Sequence, residues 1–188
     1  PMSRSEDETM LLNSMDSCAD KIIALVNSLR NQIRNIGSDS VTDISITNIL
    51  KDIKLILNNE LKKNNVTLDI SVEEDIHING NPTKLSQVIT NIITNAIQAY
   101  DGKGGKVEVI LRKQKNNAVI SVIDHASGIP ERVRPYIFKN ILTTKGVSGT
   151  GFGLYLAYSV IKGAFGGDIT FETETGKGTT FVISIPLK

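Results

Sequence analysis

Two predicted helices constrain the fold of this chain most, one with a pair of asparagines and one that begins in a glycine-rich run. The first begins at Asn81-Pro82, a capping side chain followed by proline at the first helical position. It carries Asn91 and Asn95, which lie four residues apart and therefore share one face of the helix. The second segment begins in the glycine run at 149–154 and keeps helical apolar spacing to about residue 165. The fold must therefore contain one helix with two carboxamides on the same face and a second helix that begins in a glycine-rich segment.

These two features suggest a site for a phosphorylated ligand. The backbone N–H groups at a helix N-terminus bind phosphate, and a carboxamide oxygen is a hard ligand that suits Mg²⁺. Read together, they predict a Mg–nucleotide pocket. Each also has an ordinary explanation, because surface asparagines are common and a glycine-x-glycine repeat is individually unspecific.

The segments around these helices predict an α+β domain. Residues 44–61 have helical spacing, and residues 66–72 alternate as a half-buried strand does. Strands are predicted at 106–112 and 118–124, and a terminal hairpin at 168–173 and 180–185.

Residues 1–40 carry a different pattern, which predicts one long helix separate from the domain at 41–188. Apolar side chains recur there at alternating spacings of 3 and 4, as in a coiled coil or bundle seam. They are Leu12, Met15, Ala19, Ile22, Val26, Leu29, Ile33 and Ile36. Such a stripe needs a partner, so a homodimer through this helix is expected. The alternative is an amphipathic helix packed on the chain's own domain.

Composition excludes several classes of protein. The 188 residues carry a net charge of +1, unlike the positive field of a nucleic-acid binder. No run of about 18 apolar residues occurs, so no membrane contact is expected. Cys18 is the only cysteine, and a reducing, cytoplasmic location is the simpler interpretation.

Five ordered strings resemble the boxes of the GHKL ATP-binding superfamily, specifically the catalytic domain of bacterial sensor histidine kinases. They are NIITNAIQA, DHASGIP, the short YIF at 136–138, TTKGVSGTGFGL and GKGTTFVISIP. The resemblance covers roughly residues 43–188 and implies a two-layer α/β sandwich, with a mixed sheet covered by helices on one face. Residues 14–34 also resemble the second helix of the dimerisation and phosphotransfer hairpin.

The resemblance implies a role for each matching residue. Asn95 would coordinate Mg²⁺, and Asn91 would bond to the metal's water or to a phosphate. Asp124 would accept from the adenine amino group, and Lys145 would pair with the terminal phosphate. The remaining expected ATP contacts are Gln98, Gly128, Ile129, Thr144, Gly149, Thr150, Gly151, Phe152, Gly153, Leu154 and Thr179. Catalysis is assigned to Asn91, Asn95 and Lys145.

Residue 91 helps to choose among reactions. Gyrase-type and chaperone ATPases of the superfamily carry a glutamate there that activates water, whereas a carboxamide is no useful general base. Transfer of the γ-phosphoryl group to a histidine, for relay to a response-regulator aspartate, is therefore expected rather than hydrolysis.

Two departures from the family pattern matter. His125 and Ala126 replace the usual Asn and Gly of the first glycine box, which motivates the alternative of a catalytically silent nucleotide-sensing module. His77 and His125 both lack the context of a phosphoacceptor. The expected partners are therefore ATP, a histidine-bearing helix outside this sequence and a response regulator, and the chain alone should not phosphorylate itself.

Overall fold

A computed structural model describes residues 11, 12, 15, 40–139 and 152–187. Helices and strands are interspersed along this part of the chain. In order they are β1 Thr42–Ser45, α1 Ile46–Ile56, α2 Asn58–Lys63, β2 Val66–Val72, β3 His77–Gly80, α3 Pro82–Ala99, β4 Gly105–Gln114, β5 Asn117–Asp124, a 3₁₀ helix Glu131–Tyr136, α4 Phe152–Phe165, β6 Asp168–Glu174 and β7 Gly178–Pro186.

The main sheet has five strands in the order β2-β4-β5-β7-β6. The β2–β4 pair is parallel, and the other three pairs are antiparallel. Along β4, Val107, Val109 and Leu111 are fully buried, and their neighbours along the strand are more exposed. Helices cover the buried face, so the α+β, two-layer prediction is confirmed.

Helix α3 begins where the sequence predicts. The side chain of Asn81 accepts a hydrogen bond from the Lys84 N–H at 3.0 Å, and Pro82 is the first helical residue. The cap and the proline together fix the start of the helix that carries the carboxamides.

The single helix predicted at 44–61 is wrong. Ser45 ends the short strand β1 and caps α1 by accepting from the Asn48 N–H at 3.2 Å. The helix is then interrupted at Leu57 before α2 begins. Strand β1 pairs with β3 in a separate antiparallel two-stranded sheet. Both strands have four residues, too few for their alternation to stand out from the helical pattern beside them.

The predicted heptad helix lies almost entirely outside the described residues. Of its seam, only Leu12 and Met15 are described, and both are helical and exposed. The division at residue 40 and the homodimer therefore stay predictions. Among the described helices, none has both the length and the apolar character needed to cross a membrane.

Candidate functional site

Helix α3 presents its two carboxamides at the boundary of the core. Ile92 and Ile93 are fully buried, whereas Asn91 and Asn95 are half-buried and Gln98 is exposed. The apolar face packs on β4 and β5, and β5 is the strand that ends at Asp124. Packing thus fixes the helix while its polar face stays accessible to a ligand.

The first turn of α4 lies beside Asn91. A β-carbon built on Gly153 would lie 3.7 Å from both Cγ and Nδ2 of the Asn91 carboxamide. Phe152 is the first residue of α4, and Leu154 is half-buried against the core. Gly153 and Asn91, about sixty residues apart in sequence, therefore meet in the fold.

Five of the predicted ATP contacts lie outside the described residues, and their roles stay predictions. They are Thr144, Lys145, Gly149, Thr150 and Gly151.

The segment preceding residue 140 is held by an aromatic cluster. Phe138 stacks on Tyr158 of α4 with ring centroids 5.2 Å apart. It also makes edge contacts with Phe171 and Phe181 at 5.7 and 6.4 Å. Such ring pairs stabilise packing beyond their buried area. The string at 136–138 thus joins α4 to β6 and β7.

A row of paired residues crosses one end of the main sheet. Val107 of β4 pairs with Asp124 of β5, Asp124 pairs with Thr179 of β7, and Thr179 pairs with Thr173 of β6. Directly paired residues point to the same face of a sheet. Val107 is fully buried under the helices, so Asp124 and Thr179 face the helix layer too, with 4% and 5% of their surface exposed.

Two glycines allow the loops at this end to approach closely. Gly128 has φ +69, and an added β-carbon would lie 2.3 Å from the carbonyl oxygen of Glu174. Gly178 has φ +116, and its added β-carbon would lie 2.0 Å from the carbonyl oxygen of Asp124. Any larger residue would force the first and last glycine boxes apart.

Sequence reasoning missed two residues that join these boxes. The Thr173 hydroxyl accepts from the Ile129 N–H and donates to the Gly178 carbonyl, both at 2.9 Å. The guanidinium of Arg134 donates to the Ile129 carbonyl at 2.9 Å and to the Thr175 hydroxyl at 3.3 Å. The alternation of β6 predicts which face Thr173 occupies, but its partners depend on strand pairing.

His125 and Ala126, the two substituted residues of the first glycine box, both form hydrogen bonds in the structure. His125 Nε2 lies 2.9 Å from Oε1 of Glu108, and the His125 N–H donates to the Tyr100 hydroxyl at 3.0 Å. The Ala126 N–H donates to the Asp124 carboxylate at 3.0 Å. Hydrogen bonds from His125 and then from Lys106 hold the pKa of Glu108 below its ordinary value. The His125 side chain therefore belongs to a surface network on β4.

The arrangement offers two kinds of contact. An ionised carboxylate only accepts hydrogen bonds, and Asp124 accepts one from the Ala126 N–H. At that end the site can accept hydrogen bonds from a ligand, such as those of an amino group. At the other end, the Asn91 carboxamide lies beside the first turn of α4, where phosphate and a cation fit.

Comparison with known proteins agrees with this geometry. Residues 80–188 match the family described as "Histidine kinase-, DNA gyrase B-, and HSP90-like ATPase". The chain belongs to that family. Within it, the similar curated proteins and solved structures are histidine kinases, and this chain corresponds to their ATP-binding catalytic domain.

Two similar proteins, one of them in two solved structures, illustrate the match to this ATPase family. Sporulation kinase A of Bacillus subtilis (strain 168) is 33% identical over 146 residues, which are 77% of this chain and 24% of that protein. The catalytic domain of the histidine kinase ThkA is 26% identical with a TM-score of 0.71, covering 78% of this chain and 95% of that one. ThkA in complex with the response regulator protein TrrA has the same fold at 21% identity and a TM-score of 0.71, over 90% of this chain and 49% of that one.

Proposed function

We propose that this chain binds Mg-ATP and passes the γ-phosphoryl group to a histidine on a helix outside this sequence. The bond between the γ-phosphorus and the ADP oxygen breaks, and a bond forms to an imidazole nitrogen. The phosphorylated imidazolium so formed then loses the proton on its other nitrogen to water. The observation that carries the proposal is the pairing of Asp124 with Thr179, together with Asn91 beside the first turn of α4.

The described site supports binding of both ends of the nucleotide. Asp124 and Thr179 would bind the base, and Gly128 would let the ring approach the loop. Asn91 and the start of α4 would bind the phosphates. Phosphoryl transfer depends mainly on positioning the nucleotide and neutralising its charge. Residues that bind the base and the phosphates would supply the positioning.

The donor set fits magnesium. Mg²⁺ usually takes few protein ligands and completes its shell with waters and substrate phosphates. Asn95 would hold it and Asn91 would support it, since both carboxamides are half-buried on one face of α3. When bound, the ion would neutralise charge on the phosphates. Within the described residues no cluster of three or more His, Cys, Asp and Glu side chains offers another metal site.

The residue at position 91 supports transfer over hydrolysis. A carboxamide does not accept a proton at physiological pH, so Asn91 would not activate water. An imidazole is already nucleophilic and needs less help. We therefore expect slow ATP hydrolysis by the chain alone.

The partners belong to the same proposal. A response regulator would receive the phosphoryl group, which is consistent with the complex of ThkA with TrrA. The heptad pattern at 12–36 supports a homodimer. A cytoplasmic location follows if ATP is the substrate.

Two measurements test the proposal in sequence. Calorimetry with a non-hydrolysable ATP analogue and Mg²⁺ should show binding; no binding by the folded chain would refute the nucleotide site. The chain is then mixed with Mg-ATP and a separately produced hairpin that carries the phosphoacceptor histidine. Acid-labile phosphohistidine should form on the hairpin, and a hairpin with its histidine changed to glutamine is the control. Binding without phosphohistidine would refute the kinase step alone.

A further inference from the structure

We propose that Thr173 is a positioning residue that fixes the direction of the Thr179 hydroxyl and so sets the preference for the base. The inference rests on the proposed function, because it concerns the nucleotide that the site would bind. Thr173 lies outside the boxes that the sequence indicates, and it reaches the site only through strand pairing.

Three contacts converge on one oxygen. Thr173 Oγ1 lies 2.9 Å from the Ile129 nitrogen, 2.9 Å from the Gly178 carbonyl oxygen and 3.1 Å from Oγ1 of Thr179. Ile129 belongs to the first glycine loop, and the other two belong to the start of β7. A single hydroxyl thus joins both loops that flank the Asp124–Thr179 pair.

The donors and acceptors around Thr173 fix the direction of each hydrogen bond. A hydroxyl has one proton and two lone pairs. The Gly178 carbonyl can only accept, so Thr173 gives its proton there; the Ile129 N–H can only donate, so it uses one lone pair. The second lone pair must then accept the Thr179 proton. Thr179 consequently has no proton left for a ligand and presents lone pairs alone.

This direction matters for base recognition. With the Thr179 proton held by Thr173, the base end consists of a carboxylate and a hydroxyl that both accept. Such a pair favours a base edge that donates, as the exocyclic amino group of adenine does. It disfavours hypoxanthine, which carries a carbonyl oxygen at that position. If the Thr179 hydroxyl could rotate, it could donate to that oxygen, and the preference for adenine over hypoxanthine would decrease.

The experiment compares ADP with inosine diphosphate, each with Mg²⁺, by calorimetry. Thr173→Val keeps the shape and removes the hydroxyl, Thr173→Ser keeps the hydroxyl, and Thr170→Val is the same change at an exposed position of the same strand. Thr173→Val should lower the ADP-to-IDP preference by at least about threefold, because the released Thr179 hydroxyl can then donate to the hypoxanthine carbonyl. Thr173→Ser and Thr170→Val should keep the wild-type values.

Thr179→Val provides the test of mechanism. In that background, Thr173→Val should lower the preference no further, because the hydroxyl through which it acts is gone. A thermal melt establishes that each variant is folded at the assay temperature. If Thr173→Val is unfolded, Thr173→Ala carries the same expectations.

The outcomes separate the two proposals. An unchanged preference in folded Thr173→Val, or an equal loss for both nucleotides, overturns the role of Thr173 alone. A further fall in the Thr179→Val background also overturns it. Failure of the folded wild-type chain to bind ADP overturns the proposed function, and this inference with it.

Discussion

The two ends of the candidate site are built in different ways. The base end consists of buried residues on adjacent strands, Asp124 and Thr179, whose positions follow from the backbone register. The phosphate end consists of half-buried side chains on α3, with Gly153 of α4 packed beside Asn91. Backbone changes at the base end should therefore cost stability, whereas side-chain changes at the phosphate end should cost only binding.

The largest expected effect is on the backbone of the base end. Gly178→Ala should lower the free energy of unfolding by at least about 3 kcal/mol, because the new β-carbon would collide with the Asp124 carbonyl at a positive φ. Urea unfolding measures the loss. Gly176→Ala is the matched control, since its φ is +83 but an added β-carbon would meet nothing within 4 Å. That variant should lose only about 1 kcal/mol. Equal losses would show that the close approach of the two loops is unimportant.

A side-chain change at the same end should lower the affinity for the nucleotide. Asp124→Asn should weaken ADP by about 30-fold, because a charge-assisted hydrogen bond contributes about 2 kcal/mol. Its amide oxygen can still accept from the Ala126 N–H, and a thermal melt establishes that the variant is folded at the assay temperature.

Asp101→Asn, in the exposed turn after α3, is the control for the loss of one negative charge. It should leave ADP binding unchanged, as measured by calorimetry. If both variants lose affinity alike, the effect is one of net charge, and the assignment of Asp124 to the base is wrong.

A change at the phosphate end should lower the affinity only for ligands that carry phosphates. Asn95→Ala should weaken Mg-ADP about tenfold but leave the affinity for adenosine unchanged, since adenosine has no phosphate for the ion to bridge. Unfolding should be nearly unaffected, because Asn95 is half-buried at the edge of the core. Thr94→Ala is a neighbouring control on the same helix. A parallel loss for adenosine would contradict the separation of the two ends.

The same contrast explains what could be predicted from sequence. Helix α3 could be predicted because its cap, its proline and its apolar spacing are local signals in the sequence. The contact between Thr173 and Ile129 joins residues 44 apart and exists only because β6, β7 and β5 pair in one register. The His125–Glu108 pair depends on pairing as well, between β4 and β5. Side chains could therefore be assigned to elements, but their partners across strands could not.

The smallest expected effect concerns the surface network beside the base end. Hydrogen bonds from His125, and then from Lys106, lower the pKa of Glu108 below its ordinary value of 4.5. A carboxyl with a lowered pKa in the folded state contributes stability above its unfolded pKa, and that contribution is lost as the pH falls through the folded pKa. Thermal unfolding should therefore show a smaller drop in stability between about pH 5 and about pH 3 for Glu108→Gln than for the wild type.

Glu172→Gln, at an exposed position of β6, is the matched control for removing one carboxylate. At neutral pH, Glu108→Gln should bind ADP as the wild type does. The loop is held by the bond from the His125 N–H to Tyr100 and by the bond from the Ala126 N–H to Asp124, neither of which involves Glu108. A tenfold loss of ADP affinity in Glu108→Gln would instead make the ion pair part of the base end. In that case the geometry of the base end would depend on exposed charges as well as on strand register.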